Sequence, residues 1–142
     1  MAETLMGWLA PDRVIYAQDR TQTMTEMVAT VNRVIAMMEQ SSAEKVHHII
    51  DQSNQPVQAE NIDISDANQE LSRFLKHPKT GWVLTCYGSN MYMQYVNWVL
   101  AYENQARSQH FENAQSAVDF LMTIEPSLTK KPNVQAFLEH FG

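Results

Sequence analysis

The chain has a single cysteine, Cys86. No internal disulfide can form, so the fold owes nothing to oxidation. Glycine is sparse, at 4 residues. A phosphate-cradling loop, which needs several glycines and a lysine, is not written anywhere in the sequence. Long apolar runs are missing too: nothing nears the roughly 20 residues of a membrane-spanning helix. The opening MAETLMGWL has no basic region and no extended apolar core, so no signal peptide is expected. Positive charge is in short supply. Ten Lys and Arg face 16 Asp and Glu, for a net charge of −6. That balance weighs against nucleic acid, whose nonspecific binding needs Lys and Arg on phosphates, and against an anionic membrane surface. A cytoplasmic location is expected.

The 5 histidines do not form a metal pattern. There is no His-x-x-x-His and no Cys-x-x-Cys. His47 and His48 are adjacent, so on a strand they point to opposite faces. Neither a metal nor a cofactor is expected.

What is present is enough for one real core. A chain of 142 residues, 44% apolar, fits a single domain that hides about two-thirds of its unfolded surface. Two short apolar runs, Met6 to Leu9 and Arg13 to Gln18, flank Pro11 and Asp12 and predict an antiparallel hairpin. Thr23 and Glu26 have the spacing of a capping box. Met24, Met27, Val31, Val34 and Met38 then recur at three and four residues, predicting an amphipathic helix to about Gln40 whose Met-rich stripe fills core. KVHHIID, 45–51, reads as an inner strand, and 52–62 as a polar loop. Ser65 and Asp66 are expected to cap a helix over 67–76. His77 to Gly81 stops it: Pro78 cannot continue a helix, and Gly81 can take the positive φ of a turn. Residues 82–87 form the clearest strand. A helix over 90–104, a weaker strand over 106–111, a helix over 114–124 capped by Asn113, and a short helix over 133–141 complete the chain.

The order is ββαβαβαβα plus a C-terminal helix. Strands alternating with helices predict an α/β domain with a mixed, mostly parallel sheet covered by helices. The expected domain is 1–142, with a core over about 5–124 and an extension over 125–142.

This order, the capped first helix, the strand 45–51 ending in an acid, the segment LSRFLKHPKTGWVL and the junction FENAQSAVDFL together resemble the SpoIIAA-like (STAS/SEC14-type) family of small domains. The resemblance spans about residues 5–124 and implies the SpoIIAA-like fold. Family members that antagonise anti-sigma factors carry a phosphorylated serine at the start of the helix after the acid-ended strand. The matching position is Ser65, though DISD replaces the family's Asp-Ser-Ser-Gly. Other members are suggested to hold apolar ligands.

Three places compete as sites. Cys86 and Ser89 sit where a strand meets a helix, at the carboxyl end of a parallel strand, where α/β ligands gather. Ser89 reads either as a helix cap or, with Cys86 and His47 or His48, as part of a hydrolase-type site. The nucleophile elbow Gly-x-Ser-x-Gly is not met, and a thiol inside an apolar strand tends to be inert. Asp51 either lines a site near Ser89 or caps its loop. The helix over 90–104 is the third. Gln94, Asn97, Ala101 and Asn104 make a narrow polar stripe, leaving Tyr92, Tyr95, Trp98 and Tyr102 on an aromatic remainder. A helix apolar nearly all round is deeply buried or covered by a partner. The leading expectation is a non-enzymatic interaction module, a homodimer through that aromatic face. The alternative is a small apolar ligand held between the helix and the sheet.

Overall fold

The computed structural model describes residues 4–21, 23–53, 63–86 and 91–140. It is an α/β domain built on one five-stranded sheet. The elements run β1 (Leu5–Ala10), β2 (Val14–Gln18), α1 (Met24–Gln40), β3 (Val46–Asp51), α2 (Ile64–Leu75), β4 (Thr80–Cys86), α3 (Met91–Glu103), β5 (Ser108–Phe111), α4 (Ala114–Ile124) and α5 (Val134–Glu139). Spatial order equals chain order, β1 to β5. β1 is antiparallel to β2, and every later pair is parallel.

Alternation along the strands builds two cores. One face of the sheet presents Ile15, Ala17, Val46 and Val83 to α1 and α2. The other presents Val14, Tyr16, Ile49 and Leu84 to α4 and α5. The segment after 124 belongs to this second core: Leu128 and Val134 are buried in it and Phe137 packs edge-on against Tyr16, centroids 5.5 Å apart. Met38, 0% exposed, places the end of the α1 methionine stripe in the first core.

Local chemistry fixes the helix starts. Thr23 and Glu26 form the expected capping box, each side chain taking the other's N–H at 3.1 Å. Asn113 caps α4 and Asn133 caps α5. α2 departs from expectation. It begins at Ile64, and its cap is Asp63, whose Oδ1 accepts from the N–H groups of Ser65 and Asp66. A carboxylate placed two residues before a free N–H satisfies it directly and complements the helix dipole, so the helix starts three residues sooner. The loop over 54–62 lies outside the described residues.

Gly81 also differs. It takes no positive φ and lies inside β4. Its register explains why: β3 advances from Val46 to His48 while β4 advances from Thr80 to Val83. The extra residue is a bulge facing His47. A Cβ on Gly81 would stand 2.5 Å from His47 Nδ1. The glycine is there for close approach, not for a turn.

Candidate functional site

The carboxyl ends of β2, β3 and β4 bring Tyr16, Asp51 and Cys86 together on the α4–α5 face. The Tyr16 hydroxyl donates to Asp51 Oδ2 at 2.5 Å. Asp51 Oδ1 accepts from the Ser53 N–H at 2.8 Å, and the residue is 3% exposed. Asp51 therefore caps its loop and anchors a tyrosine. Burial first, then the bond to Asp51, pushes the Tyr16 phenol well above its ordinary range. Cys86 is buried beside them, its Sγ donating weakly to the Ile50 carbonyl at 3.7 Å. Burial, with the Asp51 charge adding to it, pushes this thiol up to about 12. A thiol with that pKa and no exposure is neutral at physiological pH and out of reach of a substrate. Ser89 lies outside the described residues.

The trio is structural, and its strength is measurable. Tyr16→Phe leaves a buried carboxylate oxygen without its donor. The variant is expected to lose about 1.5–3 kcal/mol in urea unfolding. A variant as stable as the parent would show that the pair contributes nothing.

His47 and His48 face opposite sides, as the strand requires. Nδ1 of His47 accepts the Trp82 N–H at 3.0 Å, and its Nε2 stands 3.3 Å from Glu125 Oε1. Desolvation lowers its pKa against the pull of Glu125. His48, 2% exposed, lies edge-on to Phe74 with its Nε2 3.3 Å from the sulfur of Met38. Among the described residues, no group of three or more His, Cys, Asp or Glu is placed to hold a metal ion. No described helix is long and apolar enough to cross a membrane.

Two members of the polar stripe of α3, Asn97 and Asn104, face inward. Asn97 and Gln52 exchange two side-chain hydrogen bonds, at 2.9 and 3.1 Å. Asn104, 5% exposed, accepts from the Ser72 hydroxyl at 2.6 Å and donates to Asn68 Oδ1 at 2.9 Å and to the Leu100 carbonyl at 2.8 Å. A buried amide costs little when it is hydrogen-bonded, and here Gln52, just past β3, and Ser72 and Asn68 of α2 supply partners. Trp98 is 64% exposed and Tyr102 73%, and their rings stack with centroids 5.8 Å apart at 21°. Tyr92 and Tyr95 belong to α3 by backbone, and their side chains lie outside the described set. Ser65 is exposed in the first turn of α2, beside the carboxylates of Asp63 and Asp66.

Between α3 and the sheet lies a cavity of about 90 Å³, lined in part by Ile50, Val83, Thr85, Asn97, Leu100 and Ala101. A second, of about 110 Å³, lies between the sheet and helices α1 and α2. Asp19 lines both. Sequence reasoning passed over this residue, yet a signal was there. Asp19 follows the apolar strand VIYAQ as Asp51 closes VHHII, so two neighbouring parallel strands run out in an acid at one end of the sheet.

No protein-family model matches this chain, and neither does any curated protein or solved structure.

Proposed function

We propose that this chain is a non-enzymatic, cytoplasmic interaction module of the SpoIIAA-like type, pairing with a second copy of itself through α3. The observation that carries this is the outer face of α3. Asn97 and Asn104 are spent inside, and a stacked tryptophan and tyrosine stand in water. Exposed Trp and Tyr are the residues most enriched among interface hot spots. Glu103 and Arg107 are exposed nearby, of opposite sign, so a two-fold axis would set each against the other's counterpart. β5 lies at the edge of the sheet in the same region, which favours an extended contact. The SpoIIAA-like assignment is supported by the opening hairpin, the capped α1, the acid-ended β3 and the β5–α4 junction.

Native mass spectrometry and sedimentation velocity test the pairing. The parent chain is expected to be a dimer. Trp98→Ala is expected to weaken it by about 2 kcal/mol, roughly 30-fold in Kd. At concentrations where both proteins are monomeric, its urea midpoint should change little, because the ring is mostly exposed in the single chain. A dimer of unchanged strength with a less stable fold would return this face to the core. A monomer at all concentrations would end the proposal.

A second reading is favoured by the cavity under α3: a small apolar ligand held between that helix and the sheet. Extra mass retained on the gently desalted protein would support it.

A further inference from the structure

The two cavities on the α1–α2–α3 side share Asp19, Ile50, Leu71 and Phe74 in their walls. They meet at the carboxyl ends of parallel strands, the usual ligand position in α/β sheets. Each is of the order that holds part of a ring or a short alkyl chain, since a dry cavity of about 150 Å³ takes up benzene. Apart from Asp19, their described walls carry no carboxylate, lysine or arginine.

Asp19 is set there by the backbone. Its N–H donates to the Asp51 carbonyl at 2.9 Å, and its Oδ1 accepts the Thr21 N–H at 3.0 Å. Among the described residues no cation stands within ion-pair distance of it. Arg20 is held by Gln18, and Arg33 by the carbonyls of Thr4 and Met6. A half-buried carboxylate without a counter-charge is costly to keep ionised, and the hydrogen bonds from Thr21 offset only part of that cost. Burial accordingly raises its pKa. A ligand that brought a cation would remove that cost and gain a charge-assisted hydrogen bond.

We infer that these adjoining cavities bind a small apolar amine, its ammonium on the Asp19 carboxylate and its hydrocarbon body along Ile50, Leu71 and Phe74. This rests on the small-ligand reading above and narrows it. No covalent step is involved.

Calorimetric titration with 2-phenylethylamine and with its neutral isostere propylbenzene tests both levels. The amine is expected to bind the parent chain at least tenfold tighter than the isostere. In Asp19→Asn, which keeps an oxygen for the Thr21 N–H, the preference should vanish while the isostere still binds. Equal affinity of the two probes for the parent chain would overturn the role of Asp19 and leave the pocket standing. Failure of both probes to bind would overturn the pocket itself. The parent-chain comparison decides the matter even if the variant folds poorly.

Discussion

Acidification from pH 6.5 towards 3 is expected to strip on the order of 4 kcal/mol of stability from this fold through His48 alone. The imidazole is fully enclosed, with Phe74 against its ring and Met38 at its Nε2. Burial, with the neighbouring His47 and His77 adding to it, lowers its pKa from 6.5 to about 3. In the unfolded chain the same ring protonates at its ordinary value. Between those two pH values the unfolded chain holds a proton that the folded chain refuses. Stability is therefore complete above 6.5 and falls as the pH drops, by about 1.4 kcal/mol per pH unit inside the window, until the folded ring protonates near 3. His47, lowered chiefly by burial, acts in the same direction. Urea unfolding at pH 7, 5.5 and 4 measures the slope for the parent and for His48→Leu. The leucine variant has its own packing cost, but that cost does not change with pH. Its stability should fall less steeply with acid. Parallel curves for the two proteins would refute the assignment.

How far the sequence led depends on where each residue's partner lies. Thr23 and Glu26 are three residues apart, and Asn113 caps the turn that follows it, so both helix starts were legible. Strand alternation made the opposite facing of His47 and His48 legible as well. The inner contacts of α3 were not legible for the converse reason. Asn97 and Asn104 form a polar stripe whose partners are Gln52, Ser72 and Asn68. Those partners come from other elements, and a periodicity reading sees only the helix itself. Tyr16 and Asp51 are 35 residues apart and join only once β2 and β3 are side by side. Asp19 was missed because a single acid after a strand looks like loop chemistry until two cavities open onto it. Ser65 was read as a cap because Asp63, two residues earlier, was not weighed as the better acceptor.

Gly81→Ala is expected to cost about 2–4 kcal/mol, much more than an alanine at an ordinary strand position, and to cost little once His47 is gone. The added Cβ would meet His47 Nδ1 at 2.5 Å and Cε1 at 2.8 Å, with the Val46 carbonyl at 3.2 Å. The ring has no cheap escape. The Trp82 N–H donates to its Nδ1, and its Nε2 faces Glu125, so swinging it away abandons both. The first loss weighs more, because the bulge leaves the Trp82 N–H dependent on that ring nitrogen. His47→Ala alone orphans the same N–H and should cost about 1–3 kcal/mol. In the double variant the clash has no target, so the second substitution adds almost nothing. A double-mutant cycle in urea reads this as a coupling of about 2–4 kcal/mol. Simple additivity would mean that the backbone, not the imidazole, sets the space at Gly81. It would also remove the ground for reading Gly81 as placed there for close approach to His47.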